Sequence, residues 1–352
     1  MTEKISNQDI TVVVQGPVQV YKDRPQDEGI TCRCLGSIRD FLPGARIILS
    51  TWPDQNLDGF DYDELVINDD PGPNIVHYYR NGKPNYQNYN RQIVSTINGL
   101  KRVETRYAMK LRSDNFLTGD EFKWLPAKFP QRVDDYKLFE QRVVMVNTFG
   151  RNYSKGLKVA FHPSDFFYFG LTRDLVDIWD IPLFQDVEFD PAKLGVVQHP
   201  CSPLYIPDAT QELWLKSINK HLERKVVLRH THDIADGKLE MSDRILANNT
   251  IIASPAEIGV SMPMKFAHLT GTDKWSFRYS FISFKEWQAL YRRWCDRGYP
   301  DPMTLADAAT LWMMRLIFVR SRGPETLLRQ YRNVLGYWIR IKLNGLRSQS
   351  RS

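Results

Sequence analysis

VETRYAMKLRSDNFL, residues 103–117, sets a buried-strand pattern directly against charge. Tyr107, Met109 and Leu111 alternate with Ala108, Lys110 and Arg112, after which Ser113, Asp114 and Asn115 break the apolar run. A strand with a core face that ends in Arg-Ser-Asp either runs into a solvated loop or delivers polar groups to the carboxyl edge of an open α/β sheet, where such sheets hold their ligands. The elements on either side decide between the two.

Upstream, ITVVVQGPV (10–18) is a β-branched run closed by Gly16 and Pro17 and reads as a buried first strand. A helix follows, with Thr31 as its expected N-cap, Cys34, Ile38 and Phe41 on one face, and Leu-Pro-Gly at 42–44 to end it. RIILSTW (46–52) and DELVINDD (63–70) are the second and third strands, the third ending in acids. PGPNIVHYYRNGKPNYQNYN (71–90) reads as one long loop, a length that is usually functional or disordered. Its tyrosines either stack on a base or sugar ring or pin the loop to the surface. Ile93, Ile97 and Leu100 then mark a helix, and residues 107–112 are the fourth strand. Strands so continuously apolar, separated by helices, predict an α/β fold with a mainly parallel, Rossmann-type sheet and helices on both faces. Its carboxyl edge collects Gln15, Gly16, the segment from Ser50 to Trp52, Asp69, Asp70 and the segment from Arg112 to Asn115, which makes that edge the expected site.

The second half is less regular. HPSDFFYFGLTRDLVDIW (162–179) reads as an aromatic strand followed by a helix capped near Thr172, and DATQELWLKSINKHL (208–222) as another helix. KVVLRHTHDI (225–234) predicts a further strand with His230 and His232 on one face, without a third metal ligand in view. Beyond about residue 250 the pattern turns helical, in FKEWQALYRRWCD, LADAATLWMMRLIFV and TLLRQYRNVLGYWIRIKLNGL. Residues 1–250 are therefore expected to form the α/β domain, and 251–352 a helical, basic region.

At 42% apolar and 25% charged residues over 352 positions, the composition excludes disordered and fibrous classes. The polar opening MTEKISNQD predicts no signal peptide, and no run is long and apolar enough to predict a membrane-crossing helix. Cys32, Cys34, Cys201 and Cys295 lack paired zinc spacing and read as small buried hydrophobes of a reducing compartment. From Arg315 onward, nine Lys or Arg face one acid, Glu325; that net +8 exceeds the +6 of the whole chain, so the remainder is slightly acidic. A basic end on a near-neutral body points to an anionic surface. No Gly-rich loop of the dinucleotide or P-loop type is present.

VVVQGPV, TCRCLGSIRDFLPGARIILSTW, NRQIVSTINGLKRVETRYAMKLRSDNFL and HPSDFFYFGLTRDLVDIWDIPL, in that order, resemble the WavE lipopolysaccharide-synthesis family of bacterial surface-glycan proteins, which in turn looks like the GT-A class of nucleotide-sugar glycosyltransferases. The resemblance implies transfer of a sugar from a nucleotide-sugar donor to a growing surface glycan, free or lipid-linked. It implies that Gln15, Gly16 and Pro17 meet the base, that Asp69 or Asp70 contacts the base or ribose, and that Asn90 and Arg91 face the diphosphate. Arg112-Ser113-Asp114 stands where the class has Asp-X-Asp, whose last acid, here Asp114, binds a divalent metal. With the first acid replaced by Arg112, and with Lys110 on the same side, two means of neutralising the diphosphate stay open: Mg²⁺ or Mn²⁺ on Asp114, and the cations themselves. For the base that deprotonates the acceptor, the candidates are Glu212, followed by Trp214, and Asp165, beside Phe166, Phe167 and Tyr168. Two alternatives remain: a glycan-binding scaffold that has lost the chemistry, and transfer of a phospho-sugar or phospho-alditol group.

At the C-terminus, Leu327, Tyr331, Val334, Trp338 and Ile341 follow helical spacing, with Arg329, Arg332, Asn333 and Arg340 on another side. That pattern suits a helix lying in a membrane interface or one packed on the catalytic domain; with the net +8 and the lipid-linked acceptors that the resemblance implies, the expected place is the cytoplasmic face of the inner membrane, with no nucleic-acid partner.

Overall fold

The computed structural model describes residues 5–18, 28–79, 81–189, 207–263 and 278–328, with isolated positions at 266 and between 331 and 343. Cys201 and the tail residues Arg329, Asn333, Val334, Trp338, Arg340 and Ile341 lie outside the described residues.

All six residues of β1 (Ile10–Gln15) are buried, as a β-branched run flanked by strands on both sides should be. It pairs in parallel with β2 (Arg46–Thr51) and with β6 (Tyr107–Arg112), so that Val13 lies opposite Ile48 and Lys110. β2 carries β3 (Glu64–Ile67) in parallel. On the far side of β6, β11 (Tyr168–Leu171) runs antiparallel, followed by β8 (Val143–Val146) and β12 (Thr250–Ala253), which are parallel to each other. The result is a mixed, mainly parallel seven-stranded sheet of order β12-β8-β11-β6-β1-β2-β3. Because β11 opposes both β6 and β8, every other strand ends at one edge of the sheet and β11 begins there. β4 (Asn74–Tyr78) and β5 (Pro84–Gln87) form a hairpin outside the sheet. β7 (Phe116–Leu117) pairs with β13 (Val260–Ser261), and β9 (Tyr153–Ser154) with β10 (Leu157–Lys158).

Helices with full bounds among the described residues are α1 (Ile30–Phe41), α2 (Tyr89–Leu100), α3 (Leu125–Lys128), α4 (Thr172–Trp179), α5 (Ala209–Ile218), α6 (Lys238–Asn249), α7 (Pro255–Ile258), α8 (Phe284–Trp294) and α9 (Leu305–Phe318). α2 packs on β1 and β2, and α4 on β11 and β6. α2 approaches so closely that a Cβ at Gly99 would stand 2.4 Å from Val13 Cγ1, which is why glycine occupies a helix interior there. α6 and α8 pack on β12. The buried cluster runs from Ile10 and Val13 through Trp179 and Trp214 to Ile251, Trp287 and Tyr291, across the division expected after residue 250, and β12 itself straddles that division.

Several local expectations are corrected. The N-cap of α1 is Gly29, in the left-handed region at φ 67°, while Thr31 is buried inside the helix and donates its hydroxyl to the Ser113 carbonyl. The 71–90 segment is a hairpin plus the start of α2 rather than one loop. Residues 225–234 form no strand: Asp233 accepts both the main-chain N–H and the guanidinium of Arg229, closing a turn, and the His232 N–H donates to His230 Nδ1. Cys34 is buried but Cys32 is exposed. Among the described residues, no helix is long and apolar enough to cross a membrane.

Candidate active site

The carboxyl ends of β1, β2, β6 and β8 border a cleft of about 920 Å³, within the range of small-molecule sites. Its floor is a stitch between β1 and β6. Ser113 N–H donates to Gln15 O at 3.0 Å, and the Ser113 hydroxyl donates to Pro17 O at 2.7 Å. Gly16 turns the chain at φ 116°, where a Cβ would meet the Ser113 hydroxyl at 3.2 Å, so the turn needs glycine both for its conformation and for room. The Ser95 hydroxyl of α2 donates to Gln15 Oε1 at 2.8 Å and fixes that amide on the cleft wall.

Two arginine–aspartate forks stand on the wall. Arg112 grips Asp114 through Nε–Oδ1 at 2.7 Å and Nη2–Oδ2 at 2.8 Å; Asp114 is only 1% exposed. Arg91 grips Asp70 in the same bidentate way at 2.7 and 2.5 Å, and this pairing holds the Asp70 carboxyl below the usual range. Asp69, exposed, is not on the lining. Nor is Asn90, whose buried amide bonds both the N–H and the carbonyl of Phe184 and so ties α2 to the segment after α4.

Lys110 is wholly buried beneath the cleft rather than on it. Its ammonium donates to the carbonyls of Asp165 and Phe166 and lies 4.7 Å from the Trp179 ring centroid. Burial pushes it down to about 7, against the opposing pull of Asp165. Lys110 thus anchors the main chain that presents Asp165. Asp165 is on the lining, 7% exposed, and among the described residues its carboxylate accepts no hydrogen bond, while Gln92 and Lys110 hold its carbonyl.

Of the two expected bases, then, Asp165 reaches the cleft. Glu212 sits one turn into α5, off the lining, with burial raising its carboxyl. The acid that α5 does contribute is its N-cap, Asp208, which accepts from Thr210 N–H at 3.0 Å and lies 3.4 Å from His162 Nε2 and 3.9 Å from Arg151 Nη1. Burial acts to raise its carboxyl, yet His162, Arg151 and the Thr210 N–H together hold it well below the ordinary value. A depressed native value contributes stability above the unfolded value, about 4, that is lost as pH falls below it. Asp208→Asn is expected to lessen that acid-side loss in urea titrations repeated from pH 6 to pH 3, and Asp208→Ala to cost about 1 kcal/mol more for the missing cap.

As for the metal implied by an Asp-X-Asp motif, both Asp114 oxygens are committed to Arg112, and among the described residues no three His, Cys, Asp or Glu side chains come together as ligands. The residues present do not by themselves make a metal site. Sequence reasoning missed Asp208, Arg151, His162, Phe149 and Phe266, all on the lining. Only the capping-box spacing from Asp208 to Gln211 was a readable signal among them.

Two solved structures to which the chain is similar are those of HddC from Yersinia pseudotuberculosis. One shares 13% identity over 52% of this chain and 85% of that one, with a TM-score of 0.29. The other, complexed with GMP-PN, shares 10% identity over 52% and 84%, with a TM-score of 0.28. Similarity at this level carries no argument. No curated protein matches the chain. The profile of the WavE lipopolysaccharide synthesis family matches residues 10–319, every element from β1 through α9, and the chain belongs to that family.

Proposed function

We propose that the protein is a GT-A-like glycosyltransferase that moves a sugar from a nucleotide-sugar donor to a growing bacterial surface glycan at the cytoplasmic face of the inner membrane. The observation that carries this reading is the Asp165 carboxylate, which accepts no hydrogen bond among the described residues, sharing one cleft with the Gly16 turn and the Arg112 and Arg91 forks at the sheet's carboxyl edge. The acceptor hydroxyl oxygen attacks the anomeric carbon of the donor. A new carbon–oxygen bond forms as the bond from that carbon to the β-phosphate oxygen breaks, and the nucleoside diphosphate leaves with the electron pair. The hydroxyl proton passes to the Asp165 carboxylate and then to water. Arg112 and Arg91 are placed to meet the charge that grows on the diphosphate.

A thermal-shift panel of UDP, GDP, ADP, CDP and CMP and their sugars, with EDTA or with Mg²⁺ or Mn²⁺, tests the donor. A ligand that binds the native state alone raises its melting temperature. Glycan binding with no nucleotide shift would replace the enzyme with a scaffold.

The membrane part of the proposal rests on an apolar face wider than the C-terminal stripe. α9 exposes Leu305, Met313 and Leu316 as well as Trp312 (59%) and Ile317 (53%), and Leu327, Leu328 and Tyr331 continue the exposed set. The buried residue of α9 is Arg315, locked to Glu286 at 2.6 Å. Nine basic residues from Arg315 onward suit an anionic leaflet. Trp312→Asp with Ile317→Asp is expected to cut co-sedimentation with phosphatidylglycerol vesicles at least about tenfold without changing the melting temperature, since both side chains face solvent. Unchanged vesicle binding, or a dimer that the double variant dissolves, would end the membrane assignment.

A further inference from the structure

The geometry points to an acceptor subsite: we propose that a saccharide ring of the acceptor stacks on an aromatic wall made by Phe149, Phe166 and Phe266. The inference rests on the transferase reading above for the meaning of "acceptor", and on separate observations for the site. The three rings meet pairwise, Phe149 with Phe166 at 5.5 Å and 21° and each against Phe266 at 5.0 and 5.1 Å, edge to face. All three line the cleft that Asp165 enters, and Phe166 is the next residue after that acid. By contrast, Phe167 and Tyr168, the next two residues, are buried in the core and off the lining.

Phe149 carries the second observation. It lies just past the end of β8 at φ 63°, a left-handed conformation that a bulky residue adopts only under constraint and that clusters at ligand sites. Gly150 N–H closes the turn onto Asn147 O at 2.8 Å, so the strained residue is the one whose ring is turned onto the lining. A chain selected for packing alone would place Gly or Asn there. An aromatic face next to an acid that accepts no hydrogen bond among the described residues is the pairing a sugar needs: its C–H face covers the ring, and a hydroxyl donates to Asp165.

The test uses the full chain and a glycan array of bacterial core and O-antigen oligosaccharides, followed by titration of the best-bound glycan. Phe149→Leu and Phe266→Leu keep apolar bulk but remove the aromatic face; each is expected to weaken glycan binding at least about tenfold. Phe149→Trp, which keeps a face, is expected to stay within about threefold. Nucleotide thermal shifts should be unchanged in all three. Wild-type glycan affinity in the leucine variants overturns the subsite, as does a wild type that binds nucleotides and no glycan on the array. Aromatic-dependent glycan binding without any nucleotide shift keeps the subsite and overturns the transferase.

Discussion

Asp165→Asn is expected to lower kcat by about 10²- to 10⁴-fold, the range assigned to a positioned general base, while leaving donor affinity and melting temperature close to wild type. The substitution is nearly isosteric. The fold holds this residue through its main-chain carbonyl, gripped by Gln92 and Lys110, and the carboxylate accepts no hydrogen bond from the described residues. The hydrogen bonds that hold the residue are therefore kept, and what goes with the charge is its pull on the buried Lys110 ammonium. Single-turnover transfer to the glycan identified on the array, measured beside the nucleotide thermal shift, separates chemistry from binding. Turnover at the wild-type rate would remove Asp165 from the reaction. The matching change at Glu212, off the cleft, is expected to leave kcat within about threefold; if it alone abolishes transfer, the assignment of the base reverses.

Arg112→Ala is expected to damage stability and turnover together, in a way that a second substitution pulls apart. An acid just past a strand end is ordinarily solvated and contributes little to the core, but Asp114 is 1% exposed with both oxygens in the Arg112 fork. Removing the arginine breaks a buried ion pair from one side, which costs about 3–5 kcal/mol, whereas replacing both members with apolar groups is often neutral. Arg112→Leu with Asp114→Leu is therefore expected to recover most of the stability lost in Arg112→Ala. Both variants should lose turnover by about 10²- to 10³-fold, the scale of one preorganised charge stabiliser. Urea denaturation and kcat measured on the same three proteins decide it. An Arg112→Ala protein as stable as wild type would show that solvent reaches Asp114, and an active double variant would assign the fork to structure alone.

The α/β class and the edge that carries the site were legible because they depend on local pattern. The runs 10–15, 46–51 and 107–112 are mostly apolar and almost wholly buried because strands on both sides and helices on the faces exclude water from them, and that burial is largely written in the residues themselves. The same reading placed Gly16, Asp70, Arg112 and Asp114 on one edge, since a strand's end has to lie at the sheet's end, while Arg91 came only from the family resemblance. β8 and β12 were missed: each is four residues long, too short to show a period.

The direction in which each polar side chain points was decided by the tertiary structure. Lys110 and Arg112 share one strand face, as a separation of two requires, yet Trp179 of α4 and the carbonyls of Asp165 and Phe166, just before β11, close over Lys110, while Arg112, at the strand's last position, reaches the cleft. Asp208 rather than Glu212 enters from α5 because a capping acid sits at the helix end that faces the sheet edge, one turn before the residue the sequence favoured. Phe149, Phe166 and Phe266 come from three distant points of the chain, and nothing local marks them as neighbours. Local pattern records how much of an element is buried; which neighbour covers a given side chain is a contact between segments far apart in sequence, and only the packed fold specifies it.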